Sequence, residues 1–365
     1  MKKALITLVT FFILFLCSFH TVEAVEYSFR APEYLRIEGF YQNNLFPLDQ
    51  VVDNPSLEAL KPQFAALSYV PQNIIYHSRL SVELPLCTDA RLGYGLTYKK
   101  TAFGSAADDL AWMYHEAVAE DGLESREYYE IDLKYQDYTY FGVYVSKLFS
   151  LADLDLQVQN SIFCLTDFEL CTAQGQGMIT PVSSGKKEYE LKATYNSRKN
   201  SFSGRTVPGW GTSMSWRIQT EIGPGIKTYL QVHNFPGIVF LPEVERENGS
   251  LDSTTSSIFS PFHIRWLPDT VSSYWFYLPC ELKGIVIYPI SKGAWEFIAE
   301  SFGEFQTYSL GYRYLLSECS SCKLGINPVY EDLVLYYQNR YGEIGVHLGY
   351  RDFPEVRAIY ASLCL

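Results

Sequence analysis

The chain has 365 residues with 29 basic and 41 acidic side chains, a formal net charge of −12. An acidic balance of that size speaks against nucleic acid as a partner. Mean hydropathy is close to zero at −0.06, and beyond the first two dozen residues no stretch is apolar over the ~18 residues that a membrane-spanning helix requires.

The first residues read as an export signal. Lys2 and Lys3 precede an apolar run from Ala4 to Phe19, and Val22-Glu23-Ala24 offers small residues for cleavage after Ala24. Residues 1–24 are therefore expected to be removed, 25–62 to form an N-terminal arm, and 63–365 to form one domain. Leu35-Arg36-Ile37-Glu38 alternates only briefly within the arm, and Asn54-Pro55 and Lys61-Pro62 break any long element.

The clearest pattern follows. Leu80, Val82 and Leu84, then Leu92, Tyr94, Leu96 and Tyr98, alternate with charged, polar or glycine residues on either side of a turn. Successive side chains on a strand point to opposite faces, so this hairpin has one apolar and one wet face. Next comes the one expected helix, over about residues 106–120. Ser105 is its expected cap, Asp108 and Asp109 suit its first turn, and Leu110, Met113, Tyr114, Ala117 and Val118 share a face. Its acidic polar face argues for the pore or its rim rather than the membrane surface.

Regular alternation resumes at Glu130–Tyr135, Phe141–Val145 and Asp153–Gln159. Ser161 to Lys187, with three glycines and Pro181, reads as a long loop, and so do Asn196–Gly211 and Leu241–Ser257. Glu188–Tyr195 is a strand, and Met214–Ile222 and Ile226–His233 form a second hairpin around Gly223-Pro224-Gly225. Trp266, Trp275, Tyr277 and Tyr288 suit an aromatic girdle, and five further strands carry the chain to its end at Leu365.

An exported chain that spans lipid without helices must do so as a closed barrel, because only a closed sheet satisfies its backbone there. The expected fold is an all-β, closed antiparallel transmembrane β-barrel of about 12 strands, within a range of about 12 to 16. Alternation assigns Arg79, Glu83, Arg91, Asp132, Lys134, Asp153, Asp155, Glu188, Glu190, Lys192, Arg217, Glu221, Lys227, His233, Arg313, Glu343 and His347 to the lumen. Charges of both signs there either pair across the barrel or line a water path.

Seven cysteines follow the signal. Cys164 and Cys171 are placed to close a loop, and Cys319 and Cys322 form a CxxC in a turn. Disulfides in an oxidising compartment are the expectation, with zinc binding or electron transfer as the alternative for these four thiols. No phosphate loop, GxSxG or HExxH is present, so neither a catalytic site, a metal nor a cofactor is expected.

The order of parts resembles an uncharacterised family of Gram-negative outer-membrane barrels, the domain of unknown function 3187. The resemblance rests on the hairpin and helix from Ile74 to Ala119, Leu151-Ala152-Asp153-Leu154, Asn234 to Leu241 followed by Pro242-Glu243, and Glu331-Asp332-Leu333. Alanine at position 152 stands where the family has glycine, and the cysteines depart from its pattern. The resemblance implies an outer-membrane barrel and no particular activity.

The expected role is a narrow channel or transporter for small solutes in the outer membrane. Its partners would be outer-membrane lipid and the barrel-assembly machinery, with no nucleic acid. The alternatives are a structural or interaction barrel, an envelope lipid hydrolase at His233-Asn234, and a soluble exported β-sandwich.

Overall fold

The computed structural model describes residues 35–43, 73–88, 92–118, 127–151, 154–183, 186–222, 225–255, 264–267, 270–290, 292–302, 305–317, 320–329, 332–349 and 355–364. The export signal, most of the N-terminal arm, Arg91, Asp153, Glu331 and Cys319 lie outside the described residues.

In chain order the elements are β1 (Arg36–Asn43), β2 (Asn73–Thr88), β3 (Leu92–Ala107), α1 (Asp108–Val118), β4 (Glu127–Leu151), β5 (Leu154–Ser183), β6 (Lys186–Lys199), β7 (Ser201–Phe202), β8 (Arg205–Thr206), β9 (Gly209–Glu221) and β10 (Lys227–His233). They continue as β11 (Gly237–Thr255), β12 (Ile264–Trp266), β13 (Thr270–Tyr277), β14 (Glu281–Ile290), β15 (Gly293–Phe302), β16 (Phe305–Ser317), β17 (Ser320–Asn327), β18 (Asp332–Asn339), β19 (Gly342–Gly349) and β20 (Glu355–Cys364). All pairings are antiparallel, and β7 with β8 forms a separate two-stranded ribbon.

The sheet closes. Its circuit runs β1, β2, β3, β4, β5, β9, β10, β14, β15, β16, β17, β18, β19, β20 and back to β1. Three staves are built from more than one strand. β6 stands above β9, β11 continues β10, and β12 and β13 stand above β14. The circuit thus passes through more staves than the expected dozen. One reason is β1, in the segment expected to be an arm, which joins the wall between β2 and β20. Another is β17, which runs through the segment read as a CxxC turn.

The apolar face points out. Leu92, Tyr94, Leu96, Phe141, Val143, Val145, Trp295, Phe297, Tyr308 and Leu310 are all exposed, while Gly93, Gly95, Lys99, Tyr144, Ser146 and Glu296 between them are buried inside the ring. This is the reverse of a soluble sandwich, whose leucines meet each other. Among the described residues no helix is long and apolar enough to cross a membrane.

The wall is uneven in height. β14 to β20 have 8 to 13 residues each, close to the ~9–11 that a tilted strand needs to cross a bilayer. β4 has 25 and β5 has 30, with β6 and β11 beside them, so one side of the barrel stands far above the other. The described residues of the segments read as loops at Ser161–Lys187 and Leu241–Ser257 form strands of this tall wall. The reading failed because β5 carries a bulge. Thr139 pairs with Asp167 and Tyr140 with Leu165, so Thr166 is an extra residue and the alternation changes phase there.

The helix packs against the tall wall and not in the pore. It begins at Asp108, and Ser105 belongs to β3 rather than capping it. Met113, Leu110, Tyr114 and Ala117 from the expected face, with Trp112, pack on Tyr129, Ile131, Ile179, Tyr189 and Leu191. Tyr129 and Ile131 share parity with the outward Phe141, Val143 and Val145 on the unbroken strand β4, so α1 covers the outer side of the wall. Gly177 makes the fit possible, since a Cβ there would strike the Met113 thioether. Asp109 accepts the Glu130 amide N–H at 2.7 Å, and Tyr189 donates to the Ala117 carbonyl at 3.2 Å.

Candidate functional site

Inside the ring, ionisable side chains from opposite walls converge. Arg79 and Lys99 stand on adjacent staves β2 and β3. Glu281, on β14, meets both from the other side of the barrel, with Arg79 Nη1 to Glu281 Oε2 at 2.9 Å and Lys99 Nζ bonded to Oε1. Asn234, in the turn after β10, donates its amide to the Pro279 carbonyl at 3.0 Å and to Glu281 at 3.4 Å. A second strut joins Glu83 of β2 to Arg217 of β9 at 3.7 Å, helped by Gln159 of β5.

An aromatic layer spans the same gap. The ring of His77 on β2 stacks on Phe302 of β15 with centroids 4.5 Å apart, and Phe103 of β3 lies against the same phenyl at 5.1 Å. In the circuit β2 and β15 are diametrically opposite. Two rings in contact bring their backbones near the ~10 Å spacing of packed sheets, so the barrel is flattened at this level and its interior is divided in two.

The two lobes differ. The lobe between β4 and β13 is filled by Tyr138, Tyr140, Phe163, Leu165, Phe168, Val239, Leu241, Val244, Phe276 and Leu278, all buried and in contact. The lobe bounded by β15 to β20 and β1 is charged. Glu296 accepts from Arg313 and lies 3.1 Å from Lys323 Nζ, and all three side chains are shielded from solvent. Arg313 also donates to Ser321 at 3.0 Å and approaches Glu343 at 3.6 Å. Beside them Lys283 and Glu300 pair at 2.6 Å, yet their side chains keep 38% and 42% exposure. Inward groups that accessible mean that this lobe admits water.

No family model and no curated protein matches the chain. Among solved structures it is similar to the siderophore receptor PirA from Pseudomonas aeruginosa at 10% identity, over 91% of this chain and 80% of that chain, with a TM-score of 0.19. At that score the two backbones do not superpose strand on strand, and no property passes from one to the other.

Of the residues assigned to the lumen, Arg79, Glu83, Arg217, His233, Arg313, Glu343 and His347 meet in these networks. Asp155, Glu221 and Lys227 face inward near the short-turn end, where Glu221 accepts the Gly225 amide N–H at 2.9 Å. Asp132, Lys134, Glu188, Glu190 and Lys192 keep the inward parity but stand on the tall wall, above the struts, where Lys192 and Glu190 pair in the open.

Sequence reasoning missed Glu281, Glu296, Lys99 and Lys323, all of them buried members of the networks. Alternation carried part of the signal: exposed Trp295 and Phe297 flank Glu296, and exposed Leu282 and Leu324 follow Glu281 and Lys323.

In this structure Cys164, Cys171 and Cys322 are free thiols, not the expected disulfides, and six residues of extended strand lie between the first two. Cys171 is instead held by Tyr195 at 3.4 Å and Ser197 at 3.6 Å. Among the described residues no group of three or more His, Cys, Asp or Glu is placed to hold a metal ion. His233 bonds to Ser215 at 3.2 Å inside the ring. It therefore faces the interior, whereas a hydrolase of membrane lipid needs its histidine on the outer face.

Proposed function

We propose that this chain is an outer-membrane β-barrel whose charged lobe is a narrow aqueous path for small polar solutes. The carrying observation is the pair Lys283 and Glu300, inward-facing and wet, in a ring whose outer surface is apolar. The struts from Glu281 to Arg79 and Lys99 hold the flattened section and keep that path narrow. The short turns would face the periplasm and the tall wall the outside, as in barrels whose external loops are the longer ones.

Purified protein in a planar bilayer tests the reading. Small discrete conductance steps are expected. Reversing one wall charge with Glu300→Lys should move the reversal potential toward anions, because one sign of charge in a tight path sets ion preference. Silence of both proteins across salts and voltages would remove the channel and leave the barrel.

One observation favours a second role for the same barrel. The tall wall rises well beyond what a bilayer requires and is stiffened by α1. That makes it a platform for other envelope components, and crosslinking from Lys192 would identify a neighbour.

A further inference from the structure

The charged lobe holds a pair of groups that hydrogen bonding leaves unexplained. Asp332, the first residue of β18, is fully buried, and neither carboxylate oxygen has a hydrogen-bond donor. A buried carboxylate without a donor or a cation is strongly destabilising. Facing it is His347 of β19, with Nδ1 3.5 Å from Oδ2 and without a hydrogen bond of its own. The other ring nitrogen, Nε2, is 3.2 Å from the Tyr336 hydroxyl. Asn327, opposite Asp332 in the β17–β18 register, directs its amide to Thr307 at 2.9 Å, and its oxygen accepts the Val329 amide N–H at 3.1 Å.

The geometry suits a metal ion better than a hydrogen bond. An N–H···O bond has its heavy atoms ~2.7–3.2 Å apart. Two ligands each ~2.0–2.1 Å from a tetrahedral zinc ion stand about 3.4 Å from one another. In the tautomer that donates from Nε2 to the Tyr336 hydroxyl, the imidazole turns a lone pair toward the carboxylate, and two such acceptors require a cation between them. A ligating histidine whose second nitrogen is fixed by a hydrogen bond is the usual arrangement around transition metals. One nitrogen with one carboxylate selects zinc and its neighbours over magnesium or calcium, which take oxygen ligands.

We propose that Asp332 and His347 bind a divalent transition-metal ion, completed by water, with Tyr336 orienting the imidazole. Gly345 is part of the device, since a Cβ there would collide with the Tyr336 ring. The site does not depend on whether the lumen conducts.

Calorimetric titration of detergent-solubilised, chelator-treated protein with Zn²⁺ provides the test, with Mg²⁺ as the comparator. One saturable Zn²⁺ equivalent and no Mg²⁺ binding are expected. Asp332→Asn and His347→Gln should each weaken Zn²⁺ at least about tenfold, and Tyr336→Phe, which keeps both donors, by roughly 10-fold. Heat-modifiable migration on a gel verifies that each variant is a closed barrel, and a variant that fails this check leaves the other two to decide. Absence of saturable Zn²⁺ binding by the unaltered protein, or unchanged affinity in the folded variants, overturns the site.

Discussion

Strand β4 shows two regions of the molecule on a single face. Near its end, Phe141, Val143 and Val145 point outward and are exposed. Fourteen residues earlier, Tyr129 and Ile131 point the same way and are buried under α1. On the proposed reading, the low ring leaves its apolar face open for lipid to cover, whereas the tall wall, standing in water, brings its own cover. The inner faces differ in the opposite sense: polar groups pair tightly inside the ring and loosely on the wall, where Lys192 remains 61% exposed.

The largest effect separating the two regions should come from the ring's struts. Glu281→Ala removes the carboxylate that Arg79 and Lys99 both contact and leaves the two cations facing each other inside the ring. Removing one member of a buried ion pair costs about 3–5 kcal/mol, so the urea midpoint of the detergent-folded barrel should fall markedly. Since these struts also hold the section flat, single-channel conductance should rise in the same variant.

Next in size is a charge placed on the outer face. Val143→Arg puts a guanidinium into the apolar belt and should cost about 2–4 kcal/mol, the range for a basic residue near a bilayer midplane. An arginine at exposed Glu188, on the wall, should leave the urea midpoint unchanged. Equal losses at the two positions would mean that the exposed belt does not meet lipid.

Third is the wall's own cover. Met113 is buried against Gly177 and Leu191, and Met113→Ala should weaken the helix by about 2 kcal/mol, at the low end for such truncations because a rim has room to collapse. Limited proteolysis near α1 should accelerate while the heat-modifiable ring stays intact.

How far the sequence disclosed this depends on where a signal is local. Leu92 to Lys99 announces a half-apolar strand by itself, and the outward set there is the one observed. Ser161 to Lys187 does not. The bulge at Thr166 resets its phase, and Gly175 and Gly177 look like turn formers when they are accommodating close neighbours. β1 was missed because it is short, with Gly39 at its centre. Inward orientation of Arg79 was legible from its neighbours, but its partner Glu281 lies 202 residues away, and alternation carries no information about what stands across a lumen. The same holds for Asp332 and His347, whose meeting depends on the β18–β19 register.

The smallest effect is also the sharpest check on the comparison. Lys192 and Glu190 bear the same signs as Lys99 and Glu281, and both pairs form charge-assisted contacts. Lys192 keeps most of its hydration, so its attraction to Glu190 is screened by water and salt and offset by the ordering of a long side chain. Lys192→Ala should therefore shift stability by less than about 1 kcal/mol. Lys99→Ala, which takes the closer cation from the buried Glu281 carboxylate and leaves it Arg79 and the Asn234 amide, should approach the large loss in Glu281→Ala. If the two lysine variants unfold at the same urea concentration, the wall's inner face is as dry as the ring's interior, and the division of the molecule into a lipid-girdled ring and a water-bathed wall fails.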